Sequence, residues 1–401
     1  MSLKDKRIVV GVSGGIAAYK AVELVRLLIS GGAKVRVCMT KNGTKFVTPL
    51  TFEAITGEKV IWDMFSQEGP EISHISWAKY AELIAIAPAT ANIISKLAHG
   101  IADDFLTTMI LAAGCPILIC PSMNSKMYQN PVILQNIQLL RNRGIRVMEP
   151  SEGELACGEI GPGRLPDPED IVYEIRYLLS SKDLEGRRIV VTAGPTWEAM
   201  DPVRFITNRS SGKMGYALAR EAYLRGAEVV LISGPSNERP PRGIEFINVS
   251  SAREMKDAVL DKAKRADAII KAAAVSDYRP KYRAKSKIKK GVESLTLELV
   301  KNPDILSELG KKRSKRRCVL VGFAAETEDV IQNAKKKLKE KNLDFIVAND
   351  VSRKDSGFQT DTNLVKIIHR DGRVQELPLL KKEMVANIIL DHVVSLLDQK
   401  R

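Results

Sequence analysis

"KRIVVGVSGGIAAYKAVELVRLLISGG", residues 6–32, decides the fold. Its first half is an apolar run of strand length, ending in Ser13, Gly14 and Gly15. Its second half carries apolar residues at helical spacing and stops at the glycine pair Gly31–Gly32. A strand that passes through a glycine turn into a helix is the first half of a βαβ unit. Further apolar runs follow at AKVRVCMT (33–40), ELIAIAP (82–88), CPILICP (115–121) and IRVMEP (145–150), with helical stretches between them. Strands with so few polar positions are expected to be covered on both faces, as in a parallel sheet. The expectation is a doubly wound α/β domain.

The pattern then starts again. RRIVVTAGPT (187–196) repeats the opening, and AEVVLISGP, IEFINVS, ADAIIKAAAV, RCVLVGFAAE and LDFIVAND continue it to residue 350. LPLLKKEMVANIILDHVVSLLD (377–398) is an amphipathic helix. SSKDLEGRR (180–188) is charged and aperiodic. The chain is therefore expected to hold one domain at 1–180, a linker at 181–186 and a second domain at 187–401, both α/β and doubly wound.

The 401 residues include no run of the roughly 18 apolar positions that a membrane helix needs. The amino terminus moves from charges straight into a strand, without a signal-peptide pattern. The five cysteines form no CxxC pair, and Cys38, Cys120 and Cys318 sit in apolar runs as reduced core residues. A cytoplasmic protein is expected. Charge is uneven: residues 1–180 carry 18 basic and 18 acidic side chains, so the net +14 falls entirely on the remainder. A polyanion, if one binds, is expected there.

Small residues at 13–15 let backbone N–H groups approach a phosphate at a helix amino end. The turn is not GxGxxG, and the next strand ends in Thr40 and Lys41 without a ribose-binding acid, so a mononucleotide suits it better than a dinucleotide. APATAN (87–92) and PSMNSKM (121–127) also follow strands, where Thr90, Asn92 or Asn124 could serve a ligand or cap a helix. His74 in EISHISWA is a lone histidine. ELACGEIGPGR (154–164) is too rich in glycine for a helix or regular strand and reads as a loop carrying Cys157. In the second half, AGPTWEAMDPVRFITNRSSGKMG (193–215) sets Arg204, Asn208 and hydroxyls before a helix. AAAVSDYRPKYRAKSKIKK (272–290) carries Asp277 and a basic loop. KKKLKEK (335–341) puts Lys337 and Lys341 on one helical face.

In this order the motifs resemble a known pair of families. GVSGGIAAYK, APATAN, His74, PSMN and ACGEIGPGR look like the flavin-dependent cysteine decarboxylases, over residues 6–180. DPVRFITNRSSGKMG, AAAVSDYRP, KIKK, VKNPDI, GFAAET and NLDFIVAND look like the phosphopantothenate–cysteine ligases of coenzyme A synthesis, over 187–401.

The resemblance implies a flavodoxin-like first domain that holds FMN with Ser13, Gly14, Gly15, Thr40, Ala89, Thr90, Ala91 and Asn92. It implies His74 as a base or orienting group, Asn124 on the substrate carboxylate, and Cys157 on a substrate-covering flap as a proton donor. For the ligase it implies CTP with Mg²⁺, the nucleotide meeting Ala273, Asp277, Lys287, Pro303, Asp304, Ile305, Leu306, Phe323, Lys337 and Lys341. Arg204 and Asn208 would hold 4′-phosphopantothenate, and Asn208 and Lys287 would serve the chemistry with cysteine as co-substrate. It implies decarboxylase trimers and ligase dimers, with neither membrane nor nucleic acid as a partner. Tyr128, Trp197 and Lys271 depart from the pattern, which usually has Trp, Arg and an apolar residue there. The competing readings are an NAD(P)-linked oxidoreductase and a basic nucleic-acid-binding protein.

Overall fold

The computed structural model describes residues 3–65, 73–154, 158–289, 295–312, 318–326, 329–350 and 359–399. The chain divides into two compact units, Ser2–Ser180 and Ser181–Arg401. Residues 181–186, expected as a linker, fold onto the second unit. Leu184 is fully buried in its core, and Asp183 pairs with Arg225 at 2.5 Å.

In the first unit β1 (Arg7–Val12), β2 (Lys34–Met39), β3 (Leu83–Ala89), β4 (Ile117–Pro121) and β5 (Arg146–Val147) form one parallel sheet, ordered β2-β1-β3-β4-β5. This is the flavodoxin order. α1 (Ala18–Ser30), α2 (Pro49–Thr56) and α8 (Pro168–Leu179) cover one face, packing Leu24, Phe52 and Ile175 against Ile8, Val10 and Val37. α3 (Ser73–Tyr80), α4 (Ala91–His99), α5 (Phe105–Leu111) and α7 (Pro131–Asn142) cover the other, while the single turn α6 (Ser125–Tyr128) follows β4. Each buried Leu or Ile contributes about 1.5–3 kcal/mol.

The glycine-rich stretch 154–164 is only partly a loop. β6 (Ser151–Glu154) and β7 (Ile160–Arg164) pair as an antiparallel ribbon. Gly153 and Gly163 adopt φ near +148° and +147°, a mirror-extended conformation open to glycine, so the composition that argues against a regular strand allows this irregular one.

The second unit is built on an eight-stranded sheet. Its parallel part comprises β8 (Arg188–Ala193), β11 (Glu228–Ser233), β12 (Glu245–Asn248), β13 (Ala268–Lys271), β16 (Val319–Glu326) and β17 (Phe345–Asp350), in the Rossmann order β12-β11-β8-β13-β16-β17. Two further strands, β19 (Val365–His369) and β20 (Val374–Glu376), extend it antiparallel. Small ribbons pair β9 (Glu198–Ala199) with β10 (Phe205–Ile206), β14 (Tyr278–Pro280) with β15 (Leu299–Lys301), and β18 (Thr362–Asn363) with β21 (Leu380–Lys381). α9 (Lys213–Leu224) and α13 (Lys382–Gln399) cover one face; α10 (Ala252–Lys262), α11 (Ile305–Lys312) and α12 (Val330–Glu340) cover the other. Both units are thus doubly wound α/β folds, as expected. No helix among the described residues is long and apolar enough to cross a membrane.

Candidate functional sites

In a doubly wound sheet the chain leaves β1 toward one side and later returns on the other, opening a crevice at the strands' carboxyl ends. In the first unit that switch point lies between β1 and β3, and Ser13 locks it. The buried Ser13 hydroxyl donates to the Pro88 carbonyl at 2.8 Å and accepts from the Thr90 amide at 3.1 Å. A β-carbon on Gly14 would lie 2.5 Å from Asn42 Cβ, so glycine is needed for this approach.

Two helices consequently begin at one crevice. Thr90 caps α4, accepting from the Ile93 amide at 3.5 Å. The amides of Gly14, Ile16 and Ala17 before α1, and of Ala91 and Asn92 in α4, have no partner among the described residues. Free amides at two helix amino ends favour a phosphate or another anion.

The crevice has a volume of about 1180 Å³ and brings together Ser13, Gly14, Gly15, Thr40, Thr90, Ala91, Asn92 and Asn124. Ala89 is buried within β3, and His74, on α3, does not line the crevice. Cys157 lies outside the described residues. Sequence reasoning missed Trp62, Phe65, Lys96, Asp103, Asp104 and Arg164, which complete the walls. The paired acids of IADDF signal a helix start, and Asp104 does cap α5, but nothing in the pattern turns that cap toward a cavity. Lys96 reaches Asp103 at 2.7 Å.

Asn124 both caps a helix and contacts the ribbon. Its Oδ1 accepts from the Lys126 amide at 2.9 Å, and its amide nitrogen donates to Glu159 at 3.0 Å. That bond, with the Lys126 charge, holds the Glu159 carboxyl below the usual carboxylate range. Tyr128 donates its hydroxyl to Glu149, which Arg141 also binds. Burial and this bond push the Tyr128 phenol up. Cys38 and Cys120 are buried, and burial raises both thiols, whereas Cys318, expected in the core with them, is half-buried.

The second unit's switch point lies between β8 and β13. The Ala274 amide donates to the Gly194 carbonyl at 3.0 Å, and the Ala273 amide to Thr192 Oγ1 at 3.1 Å. Asn208 is drawn to this point, its amide nitrogen 2.5 Å from the Ala274 carbonyl. Asp277 is exposed, and its carboxylate makes no hydrogen bond or close ion pair among the described residues, although its charge acts on Lys271. Asp304 caps α11 through the Ser307 amide at 3.0 Å and pairs with Lys341 at 3.0 Å. Ile305 and Leu306 bury their side chains in the core, so a ligand would meet their backbone. Phe323 lies within β16 rather than in a loop, and packs on the opposite face of the sheet from Leu306. Lys287 is exposed.

Lys271 ends β13, on the face of the sheet that buries Ile269 and Ala273. Burial, followed by the nearby Lys341, lowers its pKa to about 8. Asp201 is the second unit's main omission from the sequence reading: it is 2% exposed, yet its carboxylate accepts three backbone amides, those of Val203, Arg204 and Ile288. No group of three or more His, Cys, Asp or Glu among the described residues could hold a metal ion.

Comparison with known proteins gives both halves a family. Residues 1–180 match the flavoprotein family, and residues 184–397 match the DNA/pantothenate metabolism flavoprotein C-terminal domain. The coenzyme A biosynthesis bifunctional protein CoaBC of Bacillus subtilis (strain 168) is 50% identical over 402 residues, covering 99% of this chain and 98% of its own length. The protein of that name from Escherichia coli (strain K12) is 43% identical over 405 residues, covering 100% and 99% respectively. Among solved structures, the C-terminal domain of a CoaBC protein is 45% identical, covers 55% of this chain and all (100%) of its own, and has a TM-score of 0.48. Full-length identity at this level, spanning both units, places the chain in the CoaBC family of bifunctional coenzyme A biosynthesis proteins.

Proposed function

We propose that the second unit joins 4′-phosphopantothenate to cysteine at the expense of CTP, and that the first unit decarboxylates the product with FMN to give 4′-phosphopantetheine. The chain is an enzyme of coenzyme A biosynthesis with a decarboxylase and a ligase activity. The observation that carries the decarboxylase reading is the crevice where α1 and α4 both begin with amides that have no partner among the described residues.

That crevice suits FMN in shape and chemistry. The amides of Gly14, Ile16, Ala17, Ala91 and Asn92 would hold the phosphate, with the ring system against Trp62, Phe65 and Met123. Bound there, FMN supplies a two-electron acceptor and donor for the cysteinyl carbon bearing sulfur, which gives the leaving carboxylate an electron sink. Asn124 would grip that carboxylate, and the Cys157 thiol would return a proton to carbon once CO₂ has left. His74, which lies outside this crevice, would act as base or orienting group from a neighbouring copy in the proposed assembly. A thiol on a covering segment arrives with the substrate and excludes water.

In the ligase the pantothenate carboxylate attacks the α-phosphate, pyrophosphate leaves, and the cysteine amine displaces CMP from the acyl-cytidylate. Several negative charges meet, and Lys287, Lys337 and Lys341 offset them. Mg²⁺ would enter on the nucleotide phosphates, as it commonly does where few protein ligands are present. Asp277, Ala273 and residues 303–306 would enclose the nucleoside, with Phe323 on the other face of the sheet, while Arg204 and Asn208 hold the acid substrate. Exposed Ile16, Tyr19 and Phe65 near the crevice support an assembly of copies, and the family resemblance suggests trimers of the first unit and dimers of the second. The cytoplasm is the proposed compartment.

The test is to incubate the pure protein with 4′-phosphopantothenate, cysteine and Mg²⁺, adding CTP, ATP or UTP separately, and to identify products by mass. CTP should yield 4′-phosphopantetheine, pyrophosphate and CO₂, and the protein should show a flavin spectrum. A colourless protein that consumes no cytidine nucleotide would defeat the proposal.

A further inference from the structure

We infer that Asp201, with Arg204, is a positioning residue of the ligase that sets the place of Lys287 by gripping the adjacent peptide unit. Both polar backbone groups of Ile288 are taken by this ion pair. The Ile288 amide donates to Asp201 Oδ2 at 3.1 Å, and the Ile288 carbonyl accepts from Arg204 Nη1 at 3.2 Å. Asp201 and Arg204 themselves lie 3.5 Å apart.

The other carboxylate oxygen of Asp201 is used locally. Oδ1 accepts the amides of Val203 and Arg204, each at 2.7 Å, and so fixes the turn that presents Arg204. One buried carboxylate thus joins a local turn to a residue 87 positions away. Burial disfavours its charge, but the three amides and Arg204 outweigh burial and hold the carboxyl below the usual range, so the grip persists across neutral pH. The segment is also tied through the Ala284 amide to the Met200 carbonyl at 2.9 Å.

Lys287 is exposed, so packing does not fix its direction. Its backbone is held at the next residue instead, and a lysine that must meet developing phosphate charge depends on such a hold. This deepens the proposed ligase reading and rests on Lys287 serving that reaction.

Two substitutions separate the grip from the turn. Asp201→Ser keeps a short acceptor for the amides of 203 and 204 but cannot span to Ile288. Asp201→Asn keeps one acceptor oxygen and turns a donor toward the Ile288 amide. Pyrophosphate release is measured for the wild type, each variant, Lys287→Ala, and Lys287→Ala combined with either Asp201 variant, with the cooperative unfolding transition of the second unit as the fold control. We expect either Asp201 variant to lower kcat about 100-fold, with the nucleotide KM changed less than about threefold. Either double variant should be no slower than Lys287→Ala alone. Losses that multiply in a double variant, or a loss confined to KM, would overturn the inference. Should Asp201→Asn lose the cooperative unfolding transition of its unit, the Asp201→Ser cycle decides in the same way. A Lys287→Ala enzyme at wild-type rate would instead refute the ligase reading on which this rests.

Discussion

The Met123 amide donates to the Gly163 carbonyl at 3.0 Å, and a β-carbon on Gly163 would stand 2.1 Å from the Met123 carbonyl oxygen. The ribbon β6–β7 is therefore seated directly on the segment that carries Asn124. Gly163→Ala would meet both a clash and a φ of +147°. The first unit should lose about 1–3 kcal/mol of stability, and decarboxylation should fall while ligation is unchanged. Product masses from each half-reaction check this; wild-type decarboxylation by the variant would contradict the seating.

Cys157→Ser should slow decarboxylation by about 100-fold or more, the usual contribution of a positioned proton donor. Ligation should continue, leaving the cysteinyl product to accumulate. Full conversion by this variant would remove the thiol from the reaction.

Nucleotide affinity should depend on the charge of Lys271. Its pKa near 8 means that the ammonium is largely present at pH 7 and largely lost by pH 9. Binding of CTP, measured by calorimetry, should weaken by about tenfold over that interval, equivalent to about 1.4 kcal/mol. Lys271→Met should bind more weakly at pH 7 and show a flatter profile. Lys382 also has a pKa lowered to about 8, so the comparison with this variant is what isolates Lys271. Equal slopes in the two proteins would exclude it.

His369 and His392 pack with ring centroids 4.6 Å apart and planes tilted by 59°, beside Phe345, and burial lowers both pKa values. A histidine with a lowered folded-state pKa binds its proton more readily when unfolded. Stability therefore falls as pH drops through the unfolded value of about 6.5. Between pH 7.5 and 5.5 the second unit's Tm should fall, and His392→Gln should reduce that fall by a few degrees. An unchanged pH slope would show that the pair does not drive it.

Much of the fold was legible because buried parallel strands have almost no polar residues, and ten of the eleven parallel strands, such as Arg7–Val12 and Glu228–Ser233, announce themselves. The weakest of them, Arg146–Val147, is two residues long and was found through its apolar neighbours. The hairpin β19–β20 was missed although Asp371–Gly372 marks its turn, because Lys366 and Arg370 interrupt an otherwise apolar run. The meeting of Ser13 and Thr90 at one crevice was legible because topology brings strand ends together, whereas Ala273 was named only through the family resemblance. Trp62, Arg164 and Asp201 were not legible. Their positions depend on long-range contacts, as between Asp201 and Ile288, for which a single sequence carries no local signal.

The rims of the eight-stranded sheet have a consequence for the protein's behaviour in concentrated solution. One border is β20, three exposed residues whose Glu376 pairs with Lys366 at 2.6 Å; the other is β12, four residues led by Glu245, which binds Lys262 at 2.8 Å. Such short, ionic borders are poor templates for an incoming chain, so open-ended stacking of one molecule's sheet onto the next is disfavoured. Without the hairpin, the apolar β17 would itself become a border and a nucleus for fibre growth.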